Sequence, residues 1–196
     1  MTELESGSEG AVAGYVLFSR LFMQKTTRED LQGMVSFIDE ATPRPGALFQ
    51  ELKDVFQKWL MEDGCEHDMT TEYTRLFHLR EGVKPYESVY RGREPLLMQE
   101  PWVEVKKFYQ ERGWYMDNSN YPEDHLSVEL SFVAHLLSEG SEDDARKFME
   151  KHLLQWAPAF LEDLQANRYA SYYRVIGRYC LSFLEEEKNY CQLTES

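Results

Sequence analysis

Apolar residues recur at intervals of three and four along most of this chain, the period of a helix with one buried face. Val12, Val16, Leu17, Leu21 and Phe22 mark a first helix, and Leu31, Met34, Val35 and Ile38 a second. Thr42-Pro43-Arg44-Pro45-Gly46 then breaks the chain, because two prolines and a glycine do not continue a helix. Leu48, Leu52, Val55, Phe56, Trp59 and Leu60 predict a third helix over 47–61, with Gly64 as its stop, and a fourth covers 69–79. Residues 80–95 are the least helical stretch, punctuated by Gly82, Pro85, Gly92 and Pro95, and read as a loop or hinge. Helices resume over 101–112, with Trp102, Val105, Phe108 and Tyr109 inward. Asn118-Ser119-Asn120-Tyr121-Pro122-Glu123 reads as the start of a helix that carries Leu126, Leu130, Val133 and Leu137 and stops at Gly140. A further helix is expected from Ser141 to Gln155, a short one from Pro158 to Ala166, and a last one over 170–187. With no credible strand, the expectation is an all-α fold of eight or nine helices.

Composition sharpens this into one domain. A chain of 196 residues, 42% hydrophobic and 14% aromatic, can bury a sizeable core. A single helical domain over 1–196 is expected, with residues 1–9 flexible. The net charge of -14, from 35 acidic and 21 basic residues, argues against a nucleic-acid partner and favours a basic one. Cys65, Cys180 and Cys191 form no CxxC pair, and their odd number suits a reducing compartment. The first ten residues carry Glu3, Glu5 and Glu9 and no basic residue, unlike the start of a secretory signal, and no stretch approaches the roughly 20 apolar residues of a membrane helix. The expected location is therefore the cytoplasm.

Candidate chemistry is sparse. No phosphate-cradling glycine loop and no nucleophile elbow occurs, so an enzyme reading has no residue to rest on. His125 and Glu129, four apart, could pair on one helix face, but a zinc site wants three or four ligands, and His67, His78, His135 and His152 lack the spacing to supply them. Cys65 beside His67 is not a dyad signal, since nucleophile and base are matched in space rather than along the chain. On the fourth helix Tyr73, Leu76 and Phe77 share an apolar face, with Glu72 and Arg75 as a surface ion pair on its flank. The Lys84-Pro85-Tyr86-Glu87-Ser88-Val89-Tyr90 segment offers tyrosines on a proline-fixed loop, which suit either a peptide-binding surface or a lid on the core.

Three blocks carry a resemblance. Glu72-Tyr73-Thr74-Arg75-Leu76-Phe77 leads to Tyr86-Glu87-Ser88-Val89-Tyr90; Pro122-Glu123-Asp124-His125-Leu126 precedes Glu129-Leu130; and His152-Leu153-Leu154-Gln155-Trp156-Ala157-Pro158-Ala159-Phe160 follows an H-L-x-x-W-x-P-x-F pattern, with Tyr172-Tyr173 beyond it. In order and spacing these resemble the TorD/DmsD (NarJ-like) family of cytoplasmic chaperones. That resemblance implies an all-helical chaperone for maturation of a molybdenum-containing oxidoreductase, in the dimethyl sulfoxide reductase group in the broad sense. Such a chaperone binds the twin-arginine signal peptide, the apoenzyme, or both, until the cofactor is inserted. It further implies that Tyr86, Glu87, Ser88, Tyr90, Asp124 and His125 line the peptide groove, with Glu72, Tyr73, Arg75, Phe77 and Glu129 in support, and that the chain is monomer or dimer, with no metal and no cofactor. Guanine-nucleotide binding, proposed for the family, keeps a small GTP-dependent enzyme as one alternative. A helical scaffold subunit without peptide affinity is the other.

Overall fold

The computed structural model describes residues 3–40, 47–115 and 121–193, with side chains described from Gly10 to Tyr190 within those limits. Ten α-helical segments follow one another: α1 (Glu3–Met23), α2 (Arg28–Glu40), α3 (Ala47–Leu60), α4 (Cys65–Tyr73), α5 (Glu87–Arg91), α6 (Glu100–Glu111), α7 (Leu126–Ser138), α8 (Glu142–Phe148), α9 (Leu154–Ala166) and α10 (Tyr172–Leu193). A π-helical turn, Thr74–His78, continues α4, and another, Met149–Leu153, joins α8 to α9, which leaves nine continuous helical rods among the described residues. The only extended pairing there is a single antiparallel bridge between Tyr86 and His125. The all-α expectation holds.

Helix α7 is the centre of the packing. It buries residues on every side, from Leu126 to Leu136, as a helix enclosed by its neighbours must. Helix α1 runs along it, and Ser19 fixes the contact by donating its hydroxyl to the Ser127 carbonyl at 2.8 Å and lying 2.7 Å from Ser131 Oγ. Gly14 makes room for the far side of α1, because a Cβ there would fall 2.4 Å from the Phe183 ring of α10 and 2.8 Å from Phe49 of α3. A second aromatic layer joins Phe22 of α1, Tyr73 and Phe77 of the first motif block, Phe160 of α9 and Tyr173 of α10, with neighbouring centroids 5.0–6.3 Å apart.

Several boundaries differ from those expected. Helix α4 begins at Cys65, four residues early, because Gly64 at φ 82° turns the chain in the left-handed region and starts the new helix rather than only stopping the old one. The break at 42–46 and the cap at 118–120 lie outside the described residues. Helix α7 starts at Leu126 with His125 as its N-cap, so Pro122 and Glu123 precede it instead of forming its first turn. Pro158 lies inside α9 and does not open a helix. Leu154 N–H reaches the Met149 carbonyl five residues back, so the hydrogen-bond ladder has already changed register when the chain meets a residue with no N–H to give. Helix α1 begins at Glu3, ahead of the first apolar position of the stripe that predicts it. The segment read as a loop at 80–95 contains α5.

Candidate functional site

The three motif blocks converge inside the molecule at two junctions. At the first, Glu72 of α4 is buried and its carboxylate accepts three backbone N–H groups: Ser171 at 2.8 Å and Tyr173 at 2.7 Å on Oε1, and Tyr172 at 3.1 Å on Oε2. These are the unpaired donors at the start of α10, so a carboxylate from a distant helix caps it. Burial pushes the Glu72 carboxyl above its usual range, against the pull of those N–H groups. The expected surface pair with Arg75 is not formed. Arg75 is exposed, with its guanidinium 5.0 Å from the Tyr169 ring centroid.

At the second junction Asp124 does for α5 what Glu72 does for α10. Its Oδ2 accepts Ser88 N–H at 2.9 Å, and its carbonyl accepts Glu87 N–H at 2.9 Å. Leu126 N–H returns to the Pro85 carbonyl at 2.9 Å, which completes the stitch around the Tyr86–His125 bridge. Five residues are too few to hold a helix alone, so α5 depends on this cap. Asp124 and Ser88 are fully buried, and burial raises the Asp124 carboxyl even though Ser88 opposes it. His125 does not pair with Glu129. Its Nδ1 accepts Ser127 N–H at 3.2 Å and lies 2.7 Å from Ser127 Oγ, which leaves the proton on Nε2. Burial lowers its pKa to about 3, so the ring is neutral. Tyr86 and Tyr121 enclose it, at centroid distances of 5.0 and 4.5 Å.

Below α5 the chain buries a polar cluster. Glu87, with no exposed surface, faces His152, whose Nδ1 lies 3.2 and 3.3 Å from its two oxygens, and takes an ion pair from Arg91 one turn on. Glu129 of α7, equally buried, accepts Trp156 Nε1–H at 3.0 Å on Oε2. Its other oxygen, Oε1, finds no donor among the described residues. Burial, then the charge of Glu87, raise the Glu129 carboxyl well above its ordinary range. Burial thus favours the neutral acid at Glu129, beside the Glu87–Arg91 ion pair.

Of the residues assigned to a peptide groove, Glu87, Ser88, Asp124 and His125 are thus interior. Tyr86 and Tyr90 are half-buried rather than exposed; Tyr90 donates to Asp163 at 3.1 Å and packs against Trp156 and Phe160. Both cover the core with part of their surface and keep the rest at the solvent. Tyr73, Phe77 and Glu129 join the core as a supporting set. Sequence reasoning missed Arg91. Its signal was there in the four-residue spacing from Glu87, but that spacing means contact only on a helix, and glycines and prolines had marked the segment as loop. His152 and Trp156 stand in the H-L-x-x-W-x-P-x-F pattern, whose spacing alone names no partner for either.

No cluster of three His, Cys, Asp or Glu suited to a metal occurs among the described residues, and none of their helices is long and apolar enough to cross a membrane. Cys65 and Cys180 are buried thiols, raised by desolvation.

Residues 39–162, well over half of the chain, match the family model for the nitrate reductase delta subunit. The chain belongs to that family. Within this family, which takes in the TorD and NarJ chaperones, it is 30% identical to the chaperone protein TorD of Vibrio cholerae serotype O1 (strain ATCC 39541), over 96% of this chain and 95% of that one. It is 24% identical to the TorD of Vibrio parahaemolyticus serotype O3:K6, over 97% and 98%. Among solved structures it resembles a protein from Archaeoglobus fulgidus described as a redox enzyme maturation protein, with a TM-score of 0.62 and 20% identity over 89% of this chain and 93% of the other, a likeness of fold. Members of the nitrate reductase delta subunit family with these names are chaperones, not enzymes, and this chain is one of them.

Proposed function

We propose that this chaperone serves the maturation of a molybdenum-containing oxidoreductase in the cytoplasm, and that it holds the twin-arginine signal peptide or apoenzyme of its client until the cofactor is in place. The end-to-end similarity to TorD chaperones carries this reading. The surface supports it. Leu96, Leu97 and Met98 form an exposed apolar run between α5 and α6, and Val103 is exposed one turn into α6. The run has a defined shape: Met98 sits at φ 58°, and Gln99 Nε2 donates to the carbonyls of Ser88 and Leu96 at 3.3 and 2.8 Å. Apolar surface held in this way invites a partner.

A signal peptide with a basic start and an apolar middle fits an apolar platform on a chain of net charge -14. Each buried leucine-sized side chain contributes about 1.5–3 kcal/mol and each exposed ion pair about 0–1 kcal/mol, so apolar contact supplies affinity and charge supplies orientation. Ordering the peptide takes back roughly 2–5 kcal/mol, which leaves binding near the micromolar level, about 8 kcal/mol. In this reading Tyr86 and Tyr90 meet the peptide at the rim, while Glu87, Ser88, Asp124 and His125 hold the frame behind them. Titration of labelled twin-arginine signals from the organism's molybdoenzymes, at two salt concentrations, is the test. Saturable micromolar binding that falls modestly with salt, and sharply when the apolar middle is removed, is expected. No binding by any of these signals would overturn the proposal.

A further inference from the structure

The cluster under α5 holds a guanidinium in a cradle built from three elements. Arg91 Nη1 meets Glu87 Oε1 and donates to the Lys151 carbonyl at 3.1 Å, while Nη2 lies 4.0 Å from Glu104 Oε2 of α6. Glu87 is fixed from behind by His152, so the strongest acceptor is oriented whether or not Arg91 is there. The two terminal nitrogens face separate carboxylates, a spread that the planar guanidinium offers and the compact lysine ammonium does not.

Two features make this occupant replaceable. Arg91 is the last residue of a five-residue helix, and its side chain keeps 30% of its surface exposed, whereas Glu87 has none. A cavity of ≈ 360 Å³ opens beside it, lined by the acids Glu104 and Glu111, the bases Arg91, Lys107 and Lys151, and His152. An incoming side chain can therefore approach the guanidinium from solvent without unpacking the core.

Building on the proposed function, we infer that Arg91 is an internal stand-in for an arginine of the bound peptide, and that the Glu87–Glu104–Lys151 cradle is a guanidinium site which the peptide gains by displacing it. The chain's own arginine then competes with the ligand and sets its affinity: a site populated in its vacant form only part of the time binds more weakly in proportion. It also sets selectivity, since a lysine cannot span the same three acceptors.

The probes are methylguanidinium and a synthetic peptide with two adjacent arginines ahead of a ten-residue leucine–alanine segment, with methylammonium and a di-lysine version as controls. In R91A, methylguanidinium raises the unfolding temperature saturably and methylammonium does not; equal shifts from both would overturn the guanidinium site. R91K keeps the charge and the fold but not the fork, and the inference expects it to bind the arginine peptide about tenfold more tightly than wild type, with the di-lysine peptide unchanged. Equal or weaker binding of the arginine peptide by R91K would overturn the competition. If neither wild type nor R91K binds any arginine peptide, the proposed function fails while the methylguanidinium result still decides the cradle.

Discussion

The two junctions solve one problem, a helix start that needs an acceptor, with different completeness. At α10 the Glu72 carboxylate takes three N–H groups and both of its oxygens are engaged. At α5 the cap is Asp124, whose Oδ1 has no hydrogen-bond partner among the described residues, and the helix it starts is five residues long. The first is a fastener. The second is short and capped by one side-chain oxygen, and it carries the arginine at the cavity edge and leads into the exposed apolar run. Regions that open for ligands come from the less stable end of a structure, and α5 has that character.

The largest effect should come from Glu87→Ala, which leaves Arg91 and His152 facing a hole: removing one partner of a buried pair costs about 3–5 kcal/mol, readable in urea unfolding. Glu72→Ala should cost about 2–3 kcal/mol, because the N–H groups at the start of α10 lose a charged acceptor, and Glu72→Gln should recover part of it by restoring one oxygen. If Glu72→Ala proves harmless, the contrast between the junctions disappears.

The pH dependence sharpens the comparison further. His125 is neutral in the fold, with its pKa lowered from 6.5 to about 3, so the stability it contributes is present above pH 6.5 and lost as pH falls toward 3. His125→Asn, which keeps an acceptor for Ser127, should flatten the loss between pH 6.5 and 4, measured as the unfolding midpoint against pH. Glu129 has the opposite sense: its folded pKa is raised from 4.5, so its contribution is present below pH 4.5 and is lost as pH rises toward the folded value. Glu129→Gln mimics the neutral acid and should be the mildest change, within about 0.5 kcal/mol of wild type near pH 5 and gaining on it as pH increases. A constant gap across pH would place the proton elsewhere.

The long helices were legible from their apolar period: the residues that periodicity places inward on α1 and α3 include Leu17, Leu21, Leu52 and Phe56, all buried, and on α7, which is buried all round, Leu130 and Val133. What was not legible depends on partners far along the chain. Nothing local to Glu72 announces Ser171, and a glutamate on an amphipathic helix reads as solvent-facing until its donors are known. Helix α5 was hidden for the same reason, since residues 80–95 carry the marks of a loop and only Asp124, 36 residues away from Ser88, makes a helix of them. The motif blocks were recognisable as order and spacing. Their work as interior caps was not, because exposure is a property of the packed chain.

Amide hydrogen exchange with and without a twin-arginine signal peptide tests the central claim most directly. The account predicts that the N–H groups of Ser171, Tyr172 and Tyr173 exchange slowly in both conditions, while those of residues 87–98 exchange faster in the free protein and slow markedly when the peptide binds. Equal protection at both junctions in the free protein, or binding that protects some other surface and leaves residues 87–98 unchanged, would contradict it.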